Sequence, residues 1–454
     1  MNPISEEHDR KINLNTAAMG KGRSQFNIIL NTVHMDHGYD IRNFHQSLSG
    51  LKAIVIAAGP SLDKNIEKAK NTDAVIIVVD TALRTCLHYG IAPHFIVTVD
   101  PTPFNCLHFD GIDDLGDAFL VFHPECNWRI LNRYKNHPYK IGIIDTDSFY
   151  INHVFNINKF LPYVRRAMNS GHVAFNFAHF LGCNPIILAG FDYAFEGRTH
   201  TKDASLSREV IPIGNNGEVA IKGIQGKVAD ERGFMVEVSG YNGSSVLTSP
   251  IFYRYIQDFQ RDIQRLNGSC PNIINATEGG AKIEGTKQLP LVEALQLEIN
   301  GIVQSEFKKL RLNPVMEYCL KYYNIDVLHR YLNSIIPNLE KMYDISCTVE
   351  SINHKTTPVD VIIQEIKRIE IIWQSMAGSE LFRIAMGSSV FYIQYQLDRF
   401  YDQINKNGEV KVEKMASIWK HASAELKMMV KNMAETIEIS VTMMKENELN
   451  AARK

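Results

Sequence analysis

Residues 52–63 read KAIVIAAGPSLD, and this stretch decides the fold class. Residues 53–58 are continuously apolar, which is typical of a strand buried on both faces of a parallel sheet. Gly59, Pro60 and Ser61 then form a turn, and a helical pattern continues to about Lys70. The stretch therefore predicts a strand, a tight turn and a helix, the unit from which α/β domains are built.

The same alternation continues downstream of this unit. Short apolar runs predict strands at 74–79, 95–99, 118–122, 140–144, 185–189 and 272–274, and helical patterns occupy 81–89 and 171–182. Residues 200–250 are Gly-rich and polar and predict a hairpin or a lid loop. We predict an α/β, Rossmann-like domain with a mostly parallel sheet over residues 46–289, after a polar N-terminal arm at 1–45.

The composition changes after Pro290. Only four of the 28 glycines follow it, whereas ten of the 15 methionines do. Apolar residues recur at helical spacing in 291–312, 326–343, 358–377, 380–405 and 410–446. We therefore predict a C-terminal α-helical bundle domain over residues 290–454.

Charge and composition exclude several classes of protein. The chain has 48 Lys and Arg against 50 Asp and Glu, and this balance argues against nucleic acid as a partner. Its apolar runs are shorter than the ~20 residues of a membrane-spanning helix, and the start has no apolar signal region. Seven cysteines without a CxxC pair indicate a reducing compartment. The expectation is a soluble, cytoplasmic protein with no membrane span.

The turn after the first strand is the first candidate ligand site. In open parallel sheets, ligands bind outside the carboxyl ends of the strands. Gly59 would allow close backbone approach, and Ser61 would begin a helix whose N–H groups attract phosphate. The segment matches neither GxGxxG nor GxxxxGK[ST], so an ordinary turn with a helix cap remains the alternative.

Carboxylates follow three further strands. Asp80 and Asp100 end the second and third strands, where they suit ribose or sugar hydroxyls or a metal, with a helix-capping role as the alternative. Asp145 and Asp147 form a DxD after the fifth strand, a spacing that can hold Mg²⁺. The metal role stays open at this point.

The second half of the predicted domain contributes the remaining candidates. Ser170 and Gly171 begin a helix and could meet a phosphate or a nucleotide. Asp192 follows the next strand, and His200 in the polar loop beyond it is suited to proton transfer near neutral pH. Asn275 and Glu278 flank a Gly-rich turn that could face the same rim, or could simply close the domain.

Five segments, in this order, carry a family resemblance. They are VIAAGPSLDKNIEKAK, VVDTALRTCLHYGIAP, VTVDPTPFN, SGHVAFNFAHFLGCNPIILAGFDYAFEGRTHT and INATEGGAKIEGT, which lie between residues 55 and 286. The set resembles the motility accessory factor (Maf) family of flagellin glycosyltransferases. That family shares a core with 6-hydroxymethylpterin diphosphokinase-like proteins and more remotely resembles bacterial sialyltransferases that use CMP-sugars.

The resemblance implies a sialyltransferase-like fold and a glycosyltransferase activity. A nonulosonic acid of the pseudaminic or legionaminic type would pass from its CMP-activated donor to Ser or Thr of flagellin. Gly59, Pro60, Ser61, Asp80, Asp100, Ser170, Gly171, Asn275 and Glu278 would surround the nucleotide and sugar. His200, or in second place Asp192, would accept the proton.

Two alternatives to this interpretation remain. The first is a Mg-ATP-dependent 6-hydroxymethylpterin diphosphokinase-like enzyme, in which the strand-end aspartates would hold Mg²⁺. The second is a non-catalytic nucleotide-binding scaffold. The glycosyltransferase scheme requires no metal cofactor, although Mg²⁺ could take part, and the helical domain would hold the acceptor protein or mediate oligomerisation.

Overall fold

The computed structural model describes most of the α/β region and part of the helical region. The described ranges are 38–39, 41–143, 163–213, 218–223, 231–266, 272–297, 303–311, 322–351 and 359–378, with single positions in 24–34 and 420–442. Asp145 and Asp147 lie outside the described residues, as do most of the predicted helices at 380–405 and 410–446.

An eight-stranded parallel sheet forms the centre of the α/β region. Its strands are β1 (Ala53–Ile56), β2 (Val75–Val79), β3 (Phe95–Thr98), β4 (Phe119–Phe122), β5 (Lys140–Gly142), β6 (Ile186–Ala189), β12 (Ile273–Asn275) and β13 (Lys287–Gln288). Their order across the sheet is β13-β12-β6-β1-β2-β3-β4-β5, and every neighbouring pair is parallel. The predicted Rossmann-like α/β fold with a mostly parallel sheet is confirmed.

The strands are buried on both faces, as their sequences predict. Every residue of β1, β2 and β6 is buried, so that neither face of the central sheet meets water. The helices of this region are α1 (Leu62–Asn65), α2 (Asp80–His88), α3 (Trp128–Arg133), α4 (Ser170–Phe180) and α5 (Pro250–Arg265). α2 packs against β2 and β3, and α4 packs across β1, β2, β3 and β6. A 3-10 helix, Pro103–Phe109, follows β3.

Five short strands lie between β6 and α5, where the sequence predicts a hairpin or a lid loop. β7 (Val210–Ile213), β8 (Glu218–Ile221) and β9 (Glu231–Phe234) form an antiparallel sheet. β10 (Val236–Ser239) and β11 (Ser245–Thr248) form an antiparallel hairpin. Residues 198–208, between β6 and β7, contain no described strand of these sheets and form a polar loop.

The C-terminal region contains helices, as its Gly-poor sequence predicts. α6 (Leu291–Leu295) and α7 (Val303–Arg311) precede α8 (Tyr322–Ser351) and α9 (Val359–Ala377). α8 and α9 pack against each other through buried apolar residues such as Leu339, Met342 and Trp373. None of the helices in the described part of the chain is both long enough and apolar enough to cross a membrane.

The chain divides into two compact units near residue 318. The first contains the strands named above together with α1 to α7, and the second contains α8 and α9. The domain boundary that composition places at residue 290, and the arm at 1–45, stay predictions.

Candidate functional site

The order of the strands identifies the position in the sheet where a ligand is expected. The chain proceeds from β1 outward to β5 and then returns to the other side of β1 with β6. The carboxyl ends of β1 and β6 therefore flank the topological switch point, at which connections leave in opposite directions and open a crevice. The segments after these two strands contain Gly59–Ser61 and Asp192.

The Asp192 carboxylate occupies this crevice. Its Oδ1 accepts from the Ser61 N–H at 2.9 Å, and its Oδ2 accepts from the Ser61 hydroxyl at 2.7 Å. Asp192 is 1% exposed, and burial raises the pKa of its carboxyl to about 7, although both Ser61 bonds act in the opposite direction. The two donors that the sequence assigned to a phosphate thus serve a carboxylate of the protein itself.

Gly59 is required by this arrangement. Its N–H donates to the Gly190 carbonyl at 2.9 Å, and a Cβ at position 59 would overlap the Asp192 carboxylate. Pro60 has no N–H to offer a ligand. The structure therefore brings Gly59, Pro60, Ser61 and Asp192 together, in a self-contained cluster.

A Gly-rich turn covers the same cluster. The Ala281 N–H donates to the Asp192 carbonyl at 2.7 Å, and a Cβ at Gly279 would lie 2.8 Å from the Ser61 Cβ. Glu278 does not point to a shared rim, because its Oε1 accepts from Asn65 at 3.1 Å and from the Leu291 N–H at 2.9 Å.

Asn275, which precedes this turn, is fully buried, and its Oδ1 accepts from the Thr277 N–H at 3.1 Å. These contacts fit the alternative in which this segment closes the domain, whereas Asn275 Nδ2 is buried without a hydrogen-bond partner among the described residues.

The ends of β2 and β3 form a second cluster. Asp80 begins α2 and is 1% exposed, and its Oδ1 accepts from the Thr81 N–H at 2.8 Å. Its Oδ2 has no hydrogen-bond partner among the described residues, and burial raises the pKa of the carboxyl. The Asn105 amide donates to the Thr98 hydroxyl at 2.8 Å, and both groups oppose the rise in the Asp80 pKa. Thr98 and Asn105 are thus the protein groups that stabilise the charged form of this buried carboxylate.

Asp100 adopts a capping geometry beside this cluster. Its Oδ1 accepts from the Thr102 N–H at 2.6 Å, and its carbonyl accepts from the Asn127 N–H at 3.0 Å. Asp100 thus shapes the start of the 3-10 helix 103–109, and the charge of its carboxylate also acts on His108.

The N-terminus of α4 offers donors that the switch-point crevice does not. The Asn169 side chain accepts from the His172 N–H at 3.0 Å, in the usual manner of a cap. Within the described part of the chain, no protein acceptor meets the N–H of Ser170 or Gly171, and Asn169 Nδ2 is buried without a partner. These groups lie at the positive end of an 11-residue helix dipole.

α4 adjoins the end of β6. A Cβ at Gly171 would lie 3.2 Å from the Phe191 ring, and the Tyr193 hydroxyl lies 3.4 Å from Asn169 Oδ1. Phe191 and Tyr193 flank Asp192, so the helix start lies beside the switch-point cluster.

His200 lies in the 198–208 loop, which contacts the segments that follow β1 and β3. The Thr201 N–H donates to the carbonyl of Ala58, just beyond β1, at 2.9 Å, and Ser205 meets His108 beyond β3 at 2.7 Å. The Nδ1 of His200 lies 3.0 Å from the Thr199 hydroxyl. Burial lowers the pKa of His200 to about 4, with a further contribution from His108, so the imidazole is neutral at pH 7.

Sequence inspection missed several residues of this edge. His108 is 6% exposed, and burial lowers its pKa to about 4, with Asp100 opposing and Arg84 adding to the shift. Asn105, Asn169 and Ser205 were also missed. Asn169 could have been identified as a helix cap, whereas His108 and Ser205 are 97 residues apart and show no local pattern.

A metal site receives no support from the residues described. No group of three or more His, Cys, Asp or Glu side chains with the geometry to hold a metal occurs among them. The DxD aspartates at 145 and 147 lie outside these residues, so their role stays a prediction.

The chain is similar in sequence to known proteins over part of its length. Residues 26–198 match the family model described as 6-hydroxymethylpterin diphosphokinase MptE-like. A 6-hydroxymethyl-7,8-dihydropterin pyrophosphokinase of Pyrococcus furiosus is 29% identical over 162 residues, which cover 34% of this chain and 62% of the relative. An uncharacterized protein of Treponema pallidum is 35% identical over 81 residues, 17% of this chain and 35% of the relative. The chain thus spans less than two thirds of each relative.

The solved structure of the Maf glycosyltransferase from Magnetospirillum magneticum AMB-1 is similar over a larger part of the chain. It superposes with a TM-score of 0.54 at 16% identity, covering 93% of this chain and 61% of that one. The resemblance predicted from the five sequence segments is therefore confirmed: a Maf-like fold contains an MptE-like region.

Proposed function

We propose that this protein is a cytoplasmic glycosyltransferase that transfers a nonulosonic acid from a CMP-activated donor to Ser or Thr of a flagellin-like protein. The observation that carries the proposal is the open N-terminus of α4. Ser170 and Gly171 offer two N–H groups and a hydroxyl at the positive end of a helix dipole. That set matches the single phosphate of a CMP-sugar.

The neighbouring groups suit the rest of such a donor. Asp80 begins α2 at the end of β2, and its carboxylate is the candidate partner of a ribose or sugar hydroxyl. The Magnetospirillum neighbour is a glycosyltransferase, and the likeness extends over 93% of this chain. Both observations support a sugar donor, and the identity of the sugar is part of the proposal.

The chemical step requires a proton acceptor near the acceptor hydroxyl. The hydroxyl oxygen of Ser or Thr bonds to the anomeric carbon, the bond from that carbon to the CMP phosphate oxygen breaks, and CMP leaves with its electron pair. The hydroxyl proton passes to a base. His200 is neutral at pH 7, so the unprotonated nitrogen of its ring can accept this proton.

Asp192 is the weaker of the two candidate bases. It is 1% exposed, and both carboxylate oxygens already accept from Ser61. We therefore assign proton transfer to His200 and a scaffolding role to Asp192.

The second candidate function is the Mg-ATP-dependent 6-hydroxymethylpterin diphosphokinase. One specific observation favours it, namely the match of residues 26–198 to the MptE-like family model. Under that function Asp80, Asp100 or the Asp145/Asp147 pair would hold Mg²⁺.

One experiment separates the candidates. The purified protein is incubated with CMP-pseudaminic or CMP-legionaminic acid and flagellin, and intact mass reports transfer. In parallel it receives Mg-ATP and the hydroxymethylpterin, with and without EDTA. We expect a mass shift on flagellin, resistant to EDTA, whereas AMP formation that EDTA abolishes would establish the kinase instead.

The proton acceptor is tested with a matched pair of histidine variants. His200→Ala should lower kcat about 100-fold, the usual scale for loss of a general base. His88→Ala, on the exposed end of α2, serves as the control and should transfer at the wild-type rate. An unchanged rate for His200→Ala would remove His200 from the mechanism. Failure of both reactions, with no calorimetric binding of CMP or ATP, would indicate that the nucleotide-binding fold is retained only as a non-catalytic scaffold.

A further inference from the structure

His108 lies in the 3-10 helix that follows β3, which hydrogen bonds tie to the rest of the domain. The Asn105 amide of this helix donates to the Thr98 hydroxyl at 2.8 Å, and Arg133 donates to the Phe109 carbonyl at 2.7 Å. His108 itself is 6% exposed. Its ring is therefore a fixed point against which a neighbouring segment can be held.

The 198–208 loop meets this fixed point through one side chain. Ser205 Oγ lies 2.7 Å from His108 Nδ1. At its other end the loop is tied to the region of β1, where the Thr201 N–H donates to the Ala58 carbonyl and the Thr201 hydroxyl donates to Asp63. The loop thus spans from the end of β1 to the 3-10 helix beyond β3, and His200 directly precedes the attachment at Thr201.

Contacts inside the loop transmit this attachment to His200. The Ser207 hydroxyl donates to the His200 carbonyl at 2.9 Å and accepts from Arg198 Nε at 3.0 Å. The Thr199 hydroxyl lies 3.0 Å from His200 Nδ1 and accepts from the Arg208 N–H at 3.0 Å. The ring and the backbone of His200 are both held by neighbours that belong to the same loop.

We propose that His108 is a positioning residue: its hydrogen bond to Ser205 holds the 198–208 loop across the strand ends and so places His200 over the transfer site. The inference rests on the proposed function in one respect, namely that His200 accepts the proton of the acceptor hydroxyl. The loop attachment is a property of the unliganded protein and can be measured without any substrate.

The groups that face His108 are few and come from three elements. The Asp100 carboxylate follows β3, the Arg84 guanidinium projects from α2, and the His200 imidazole lies in the loop. Ser205 provides the direct hydrogen bond. A neutral amide at position 108 keeps a partner for Ser205, whereas an aliphatic side chain does not.

Hydrogen exchange of the loop tests the attachment directly. The amides of Thr199, Thr201, Ala204 and Ser207 all donate within the protein. Ser205→Ala should speed their exchange about fivefold, which corresponds to the net contribution of one hydrogen bond. His108→Leu should give the same acceleration, and the double variant no more than either single one, because both remove the same bond.

Conservative variants and a control complete the design. Ser205→Thr and His108→Asn should restore slow exchange, since each retains a hydrogen-bonding group. Ser245→Ala, on the exposed β10–β11 hairpin, should exchange as the wild type does. Exchange that is unchanged in Ser205→Ala, or additive in the double variant, overturns the proposal.

Transfer kinetics then test the consequence for His200. Ser205→Ala should lower kcat about fivefold with the donor KM unchanged, because the N-terminus of α4 is not touched. A fall in kcat that Ser205→Thr restores supports positioning, and an unchanged kcat despite faster exchange refutes it. If the wild type transfers no sugar at all, the proposed function fails, while the exchange data still decide whether the loop attachment exists.

Discussion

Two helix N-termini at the same edge of the sheet differ in the acceptors that their N–H groups find. At Gly59–Ser61 the donors of Ser61 are taken by the buried Asp192 carboxylate. At Asn169–Gly171 the cap is made by the local Asn169, and the N–H groups of Ser170 and Gly171 meet no acceptor among the described residues. The difference shows that a phosphate-competent sequence becomes a candidate site only where the fold supplies no anion of its own.

The largest expected effect concerns the crowding at Gly59. Gly59→Ala should destabilise the protein by about 3 kcal/mol or more, because the new Cβ would overlap the Asp192 carboxylate and lie 2.5 Å from the Gly190 carbonyl oxygen. Urea unfolding followed by circular dichroism measures the loss. Ala92→Gly leaves the crevice intact and serves as the control for unfolding stability. Gly197→Ala is unsuitable as a control, because Gly197 has a φ of +73° and a side chain there would strain the backbone. A Gly59→Ala protein with the wild-type midpoint would mean that the crevice is open.

The second prediction uses the pH dependence of stability at the closed crevice. Burial raises the pKa of Asp192 to about 7 in the folded protein, against about 3.9 in an unfolded chain. Its contribution is therefore fully present below about pH 4 and is lost as the pH rises to about 7, with a slope of up to about 1.4 kcal/mol per pH unit.

Asp192→Asn removes this ionisation while it keeps the size of the side chain. The free energy of unfolding of the wild type, relative to that of Asp192→Asn, should therefore fall between pH 4 and pH 7. Denaturant titrations at each pH give the difference, and a difference that does not vary with pH would contradict the raised pKa.

The third prediction tests the role assigned to Ser61. Ser61→Ala removes the 2.7 Å donor to Asp192 Oδ2 and leaves a buried oxygen unsatisfied, which should cost about 1–3 kcal/mol of folding stability. Thermal unfolding measures this cost. Ser61→Thr keeps the hydroxyl and is the matched comparison. Full stability of Ser61→Ala would show that the Asp192 pairing contributes nothing.

The smallest effect is expected at the open helix start. Ser170→Ala should raise the KM for the sugar donor about tenfold, equivalent to about 1.4 kcal/mol, through loss of one hydroxyl contact to the phosphate. Unfolding stability should change less than in Ser61→Ala, because the Ser170 side chain is only half-buried. If Ser61→Ala changes KM more than Ser170→Ala does, the assignment of closed and open sites must be reversed.

The strands of the central sheet show which parts of the fold the local sequence predicts. β1, β2, β4 and β6 lie inside the runs predicted for them, because continuous apolar residues can be satisfied only in a sheet covered on both faces. The Gly-rich stretch at 200–250 was less informative. Strands β7 and β10 have partly or fully exposed residues, and in polar strands of this kind apolar and polar residues alternate only weakly.

The candidate site shows what the local sequence does not predict. The local sequence placed Asp80, Ser170 and Gly171 at the ends of strands or helices, and the structure has them there. It placed His200 in a polar loop, which lies beyond β6. It did not identify which ends remain open. Glu278 meets Asn65 across 213 positions and Ser61 meets Asp192 across 131, and separations of that size leave no trace in a local pattern.

The sequence by itself determined the alternation of strands and helices, the change of character after Pro290 and the residue types at the strand ends, since these depend on local propensity and periodicity. The tertiary structure alone decided that Asp192 fills the crevice beside Ser61, that the N-terminus of α4 stays open, and that His108 holds Ser205. These outcomes depend on which distant segments the strand order makes neighbours, and burial then fixes the charge and hydrogen bonding of each group.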